Sequence, residues 1–324
     1  MKKTTKLKEL FNREEIFVAA GGCTALHARM AQLAGFECAY MSGGGVAAMI
    51  HGMPDAGLIT ATEMVENAER MANCVSIPLL SDSDTGFGNA VNVRRTVQAF
   101  IRAGVAGIHL EDQVSPKRCG GVKGKQVIPI EEAVGKYRAA VDAKNELDPD
   151  FVIISRTDAR GAAGGSLEEV IKRLQAYKAA GVDVVYAEAL QSREEVKALR
   201  AAVDGPMVGT LGYIKPQPTL AEMQSLGYAA AMYATMMQFC GLEVIWDYLS
   251  EFKAQGDQAV PHWKLGKTSK YPMPHPFDLV DFAKVAECEQ KYLTADALEK
   301  YEGSIGHYDP RTAKASGSGD TSEE

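Results

Sequence analysis

Apolar residues in this chain fall into short runs that alternate with stretches of helical period. One phrase recurs: a helical pattern, a small-residue stop with glycine, then a β-branched run. It appears as Leu33-Ala34-Gly35-Phe36, Arg102-Ala103-Gly104-Val105, Ala179-Ala180-Gly181-Val182 and Ser225-Leu226-Gly227-Tyr228. Glycine suits the left-handed position that closes a helix, and a strand follows directly. The pattern predicts strands at Ile16–Ala20, Cys38–Ser42, Ile77–Asp82, Gly107–Glu111, Phe151–Arg156, Val182–Glu188, Pro206–Gly209 and Ala229–Tyr233. Helical periods lie between them, among others at Ala61–Asn73, Glu131–Asn145, Leu167–Ala180 and Arg193–Val203. Eight strands alternating with helices predict an α/β fold, a (β/α)8 TIM barrel rather than a doubly wound sheet.

The strand ends support the barrel. Reading outward from their C-terminal ends gives Ser42, Asp82 and Asp84, Glu111, Arg156, Glu188 and Thr210. Barrel chemistry sits on that rim, so polar residues from many strands converge there. The segments 42–60 and 115–128 are then loops over the mouth, the second a lid. A long helical pattern runs from Gln238 to Ala254, followed by a connection rich in proline and aromatic residues and a helical region over about 278–302. The organisation predicted is a catalytic barrel over 1–255, a C-terminal connection and helical extension over 256–310, and a disordered tail over 311–324. The extension exceeds a minimal barrel and needs a surface to pack on, which a neighbouring subunit supplies.

Composition narrows the function. At 324 residues, with 46% hydrophobic and 24% charged, the chain matches one barrel plus an extension. The net charge of -7 is spread without a basic block, which excludes nucleic acid and anionic membrane as partners. The start is basic, but the apolar stretch after Glu15 is too short for a signal peptide or a membrane span. Six cysteines lie scattered without a CxxC pair. They read as reduced thiols in the cytoplasm, an organelle matrix being the other compartment of that kind.

Two strands that end in acid, at Asp82-Ser83-Asp84 and at Glu111-Asp112, suit a hard divalent cation held by few carboxylates and several waters: Mg²⁺, with Mn²⁺ as the alternative ion. The blander reading is solvated loop acids or helix caps. Asp55 matters only as a fourth acid for the metal's waters. Cys119 lies between Lys117-Arg118 and Gly120-Gly121 in a polar loop; flanking cations lower a thiol's pKa and suit it to proton transfer. The other five cysteines read as buried hydrophobes. Tyr40-Met41-Ser42-Gly43-Gly44 ends a strand in glycines that let backbone N–H groups approach a carboxylate. Arg156 is placed either to clamp a carboxylate bidentately or to pair with Glu188 or Asp158. The histidines lack metal-ligand spacing and read as surface or packing residues, with His109 left open.

Together these residues resemble the isocitrate lyase / phosphoenolpyruvate mutase superfamily, in particular its methylisocitrate lyase-like branch. The resemblance runs from about Val18 to Tyr233 through Tyr40-Met41-Ser42-Gly43-Gly44, Pro54-Asp55, Asp82 to Gly88, Glu111-Asp112-Gln113, Lys117-Arg118-Cys119-Gly120, Arg156 to Ala159 and Glu188-Ala189. It implies a Mg²⁺-dependent barrel whose last helix is exchanged between subunits, usually in tetramers. Ser42, Gly43, Gly44 and Arg156 are then expected to hold the 2-oxo-acid half of the substrate, Asp82 to bind the metal directly, and Asp55, Asp84 and Glu111 to bind its waters. Retention of Cys119 points to the carbon–carbon lyases rather than the mutases.

The departures bear on substrate. The lyases continue Lys-Arg-Cys-Gly with His, where this chain has Gly121. They carry an Asn-Ile-Thr-Glu-like run where it has Gly209-Thr210-Leu211-Gly212. Family arginines fall at Met236 to Phe239 and near Pro276-Phe277. With Gly121, Thr210 and Phe239 in place of a carboxylate clamp, charge-assisted contacts of roughly 1.5–3 kcal/mol each are missing. Isocitrate and methylisocitrate are therefore poor fits, and a smaller or less charged leaving half is expected.

The reading is a carbon–carbon lyase acting on a small 2-hydroxy- or 2-oxo-carboxylic acid and releasing a 2-oxo acid. Tyr40 is the expected base partner for the hydroxyl, and Cys119 protonates the departing carbanion. Lys117 and Arg118 tune the thiol, Glu188 orients Arg156, and Gly120 and Thr210 line the substrate. The alternatives are a mutase, hydrolase or decarboxylase of phosphonopyruvate- or oxaloacetate-type acids in the same superfamily and, from another class, a non-catalytic metal-binding scaffold. The expected partners are the carboxylic acid substrate and further copies of the chain, as a homotetramer.

Overall fold

Alternate residues of eight short parallel strands point into one closed barrel. In the computed structural model, which describes residues 1–210, 212–260 and 276–312, the strands pair in chain order and the last closes on the first. They are β1 (Phe17–Gly22), β2 (Cys38–Met41), β3 (Leu79–Asp82), β4 (Gly107–Glu111), β5 (Val152–Thr157), β6 (Val184–Ala187), β7 (Met207–Gly209) and β8 (Ala230–Tyr233). Each coincides with a predicted strand to within a few residues. Helices fill the intervals, including Ala25–Leu33, Ala61–Asn73, Ala90–Arg102, Ile130–Leu147, Leu167–Ala179 and Arg193–Ala202.

The barrel interior is packed by Tyr40, Leu80, Ile154, Tyr186, Val208 and Met232 with their neighbours. A second apolar layer lies between strands and helices, with Met64, Phe100, Tyr137 and Tyr177 among its largest members. Side chains alternate in and out along a strand. Asp82, Arg156, Glu188 and Thr210, each two residues beyond an interior position, therefore carry the same inward direction up to the mouth.

Two elements differ from the expectation. The helix Lys3–Asn12 tucks Leu7, Leu10 and Phe11 into the interior cluster beneath the strands, a plug that the lysine-rich start conceals. The segment 42–60, expected as a loop, opens with a helical turn over Gly43–Gly45 that continues as a wider turn over Val46–Ile50. Ser42 Oγ caps it by accepting the Gly45 N–H at 3.1 Å.

The described chain divides into two compact units, Met1–Gly241 with the whole barrel and Leu242–Glu324. The second holds most of the helix Met236–Gln255 and the helices Pro276–Leu279, Phe282–Tyr292 and Ala295–Leu298, with the rings of Phe277, Phe282 and Tyr308 packed together. The expected connection over residues 261–275 and the expected disordered tail, from residue 313 onward, lie outside the described residues. No described helix is long and apolar enough to cross a membrane.

Candidate active site

Six carboxylates, those of Asp55, Asp82, Asp84, Glu111, Asp158 and Glu188, gather at the mouth around three buried cations, Lys117, Lys125 and Arg156. The turn after β3 places two of the acids. Asp84 takes a left-handed backbone (φ 46°), which Asp tolerates better than most residues, and its N–H donates to Asp82 Oδ1 at 2.9 Å. At Gly86 (φ +83°), an added Cβ would lie 2.5 Å from Val93 and 2.8 Å from Leu110, so only glycine lets the turn fold back.

The loop 115–128 is fastened over this cluster. Lys117 Nζ lies 2.5 Å from Asp55 Oδ1 and 2.7 Å from Asp84 Oδ1, joining the loops after β2, β3 and β4. Gln113 holds both backbone groups of Arg118, and the Cys119 N–H donates to Asp55 O at 3.0 Å. Lys117 is thus engaged by acids of the rim. Burial pushes the half-buried Cys119 thiol up, Asp55 adds to the rise, and Lys117 opposes it only weakly. The expected acidification of the thiol is corrected accordingly: at neutral pH Cys119 carries its proton.

The expected partner of Arg156 changes as well. Its Nε and Nη2 donate to Asp158 at 2.8 and 3.0 Å, with Glu111 Oε2 3.3 Å from Nε, so Asp158 rather than Glu188 orients the guanidinium. Asp158 is itself pinned, since its N–H donates to Asp112. Glu188 accepts from Tyr186 and, at 3.4 Å, from Thr210. Gly120 closes over both, as a Cβ there would lie 2.4 Å from Glu188 Oε1 and 3.0 Å from Arg156 Nη2.

Gly43 and Gly44 are pressed against acids. The Gly43 N–H donates to Asp82 Oδ2 at 3.3 Å, and a Cβ on Gly44 would lie 3.0 Å from Asp55 Oδ2. Tyr40 is buried, its hydroxyl 2.8 Å from His109 Nε2. Burial, with Asp82 nearby, pushes its phenol well above the ordinary value, so Tyr40 is not by itself a base. His109, which the sequence left open, is brought into this cluster. It is fully buried, its Nδ1 stands 3.6 Å from Asp82 Oδ1, and burial drives it down to about 4, leaving a neutral ring.

The acids fit a hydrated cation. Asp84 Oδ1 and both Glu111 oxygens are buried, and apart from the ion contacts of Lys117 with Asp84 and of Arg156 with Glu111 no donor among the described residues reaches them. Burial pushes Glu111 well above the carboxylate range and, with help from Asp82, lifts Asp84 to about 6. Both shifts mark a shortage of positive charge. Asp82 stays low because His109, Lys117 and Arg156 outweigh its burial. Among the described residues no three such groups close tightly enough to grip an ion unaided. One direct carboxylate with waters bridging to the others is the arrangement such a set suits.

Beside Glu188 opens a cavity of about 500 Å³ bounded by Gly121, Thr210, Tyr213, Met232, Thr235 and Met236, among others, with no Lys or Arg among the described residues of its wall. Phe239, expected there, is 62% exposed, and Met236 takes that place.

Residues 7–252 match the family model described as phosphoenolpyruvate phosphomutase. The chain is similar to 2,3-dimethylmalate lyase of Eubacterium barkeri, 37% identical over 296 residues that cover 91% of this chain and 99% of that one. Among solved structures it resembles an oxaloacetate acetylhydrolase bound to the inhibitor 3,3-difluorooxalacetate (TM-score 0.81, 33% identity, 90% of this chain and 97% of that one). It also resembles a phosphonopyruvate hydrolase in complex with oxalate and Mg²⁺ (TM-score 0.78, 27% identity, 91% and 100%).

Proposed function

The chain belongs to the isocitrate lyase / phosphoenolpyruvate mutase superfamily, and from that membership we propose that it is a Mg²⁺-dependent carbon–carbon lyase that splits a small 2-hydroxy dicarboxylic acid into a 2-oxo acid and a protonated leaving half. The observation that carries the reading is Lys117, whose ammonium binds Asp55 and Asp84 and so sets Cys119, two residues on, beside the acid cluster.

Asp82 would hold the ion directly, with Asp55, Asp84 and Glu111 taking its waters. When bound, the ion draws negative charge onto the substrate's α-oxygen. The protein's own groups do the rest. Arg156, fixed by Asp158, and the Ser42 hydroxyl receive the carboxylate of the oxo-acid half. Tyr40 accepts the hydroxyl proton as its own passes to the neutral His109 Nε2. As the C2–C3 bond breaks, its electron pair stays on the leaving carbon, and Cys119 delivers a proton there. Glu188, Thr210 and Gly120 bound the space in which this happens.

The cavity wall supports a leaving half without the extra carboxylate of a tricarboxylate. Among 2-hydroxy acids supplied with Mg²⁺, an alkyl-substituted malate such as 2,3-dimethylmalate is expected to release pyruvate. Isocitrate and methylisocitrate should be turned over at least roughly 10²-fold less efficiently, the cost of about two missing charge-assisted contacts. Efficient cleavage of either tricarboxylate would refute the pocket assignment. Oxalate release from oxaloacetate, with no cleavage of any 2-hydroxy acid, would replace the lyase by a hydrolase.

The assembly proposed is a cytoplasmic homotetramer in which the C-terminal helices pack on a neighbouring subunit. Support comes from a helix, Met236–Gln255, that shows Leu242, Ile245, Trp246 and Leu249 to solvent, Trp246 at 71% exposure. Exposed apolar surface of that extent marks an interface. Ending the chain at about residue 275 should give lower-order or poorly soluble species by light scattering. A full-length monomer, with the shortened chain behaving alike, would contradict this.

A further inference from the structure

The Cys119 loop is tied down on one side by Lys117 and by the Cys119 N–H, both on Asp55. On its other side the carbonyl of Gly120 accepts two donors. One is Lys125 Nζ, which comes from the same loop and stands 3.3 Å from Asp158. The other is Tyr213 Oη, 2.6 Å away, from the segment after β7. Tyr213 also bounds the cavity beside Glu188, together with Gly121 and Thr210. A single side chain therefore touches both the proposed leaving-half space and the peptide next to the thiol.

We propose that Tyr213 is a positioning residue for Cys119: its phenol latches the Gly120 carbonyl and so fixes the thiol relative to the wall of the leaving-half cavity. Two facts make the latch consequential. Gly120 has little room to shift toward the site, because Glu188 and Arg156 already fill the space that a Cβ on it would take. At Gly121, the next residue, an added Cβ would meet nothing within 4 Å among the described residues, so the loop is open there immediately beyond the latch. Without the phenol the Gly120 peptide keeps only the tether from within its own loop, and the thiol samples positions away from the departing carbon. A proton donor that is misplaced part of the time slows chemistry and leaves substrate binding alone.

The proposal rests on the reading of Cys119 as the proton donor, and its test has one arm that needs no substrate. Tyr213→Phe removes a single hydroxyl and keeps the cavity wall. Iodoacetamide labelling of Cys119, followed by peptide mass spectrometry without substrate, is expected to quicken by roughly 2- to 10-fold, the range for one lost hydrogen bond. Labelling of Cys240 and Cys288, which are exposed and not buried as the sequence suggested, should stay constant. On an alkylmalate substrate kcat should fall by a similar factor while KM stays within about twofold. The proposal requires both changes, and the absence of either overturns it. A wild type without turnover of any 2-hydroxy acid would instead sink the underlying lyase reading, which the labelling arm does not depend on.

Discussion

Asp82→Ala is expected to remove turnover, by roughly 10³-fold or more, with the fold intact. A bound divalent ion contributes several kcal/mol of charge stabilisation, and each 1.36 kcal/mol is tenfold in rate. Asp82 is the acid best placed to hold that ion, since it alone of the three strand-end acids is held firmly ionised while Asp84 and Glu111 are pushed up. Stability should change little. The substitution loses two backbone hydrogen bonds, from Gly43 and Asp84, but it also relieves the repulsion that raises Asp84. Lys117 keeps Asp55 and Asp84 as partners. Activity across a Mg²⁺ titration, with EDTA as the limit, checks the assignment. Full activity of Asp82→Ala, or of the wild type in EDTA, would end it.

Cys119→Ser should lower kcat by at least roughly 10²-fold, the contribution of a positioned general acid, with KM nearly unchanged. Serine keeps the approximate size but gives up its proton far less readily. The direction of the thiol shift adds a pH signature. A donor works in its protonated form, so activity is lost as pH rises through its pKa. Burial raises that pKa above the ordinary thiol value of about 8.5. Wild-type kcat should therefore hold level past the pH at which an ordinary thiol ionises. An unchanged kcat in Cys119→Ser would move the chain toward the hydrolase or mutase branch.

The barrel was legible because four of its strands, β2, β4, β6 and β8, each follow a helix that ends in the same glycine stop, and because inward parity carries the interior residues Leu80, Ile154, Tyr186 and Val208 on to Asp82, Arg156, Glu188 and Thr210. The same parity reaches from Gly107 through His109 to Glu111. That was the available signal for His109, masked by the apolar run around it. The N-terminal plug was hidden for a comparable reason: Leu7, Leu10 and Phe11 have helical spacing but stand among lysines. What could not be read along the chain is where side chains go. Lys117 is two residues from the thiol in sequence, yet its ammonium lies on Asp55, 62 residues away. Asp158, Lys125 and Tyr213 act through contacts among loops, which no periodicity records.

The most direct measurement follows the carbon that leaves. The lyase account requires the C2–C3 bond of 2,3-dimethylmalate to break and the freed carbon to take one proton from the enzyme. In D2O with Mg²⁺, NMR should show pyruvate and propionate in equal amounts, the propionate carrying one deuterium at C2. Neither product should form in EDTA. Pyruvate without propionate, equal product formation in EDTA, or no cleavage of this or any related 2-hydroxy acid would contradict it.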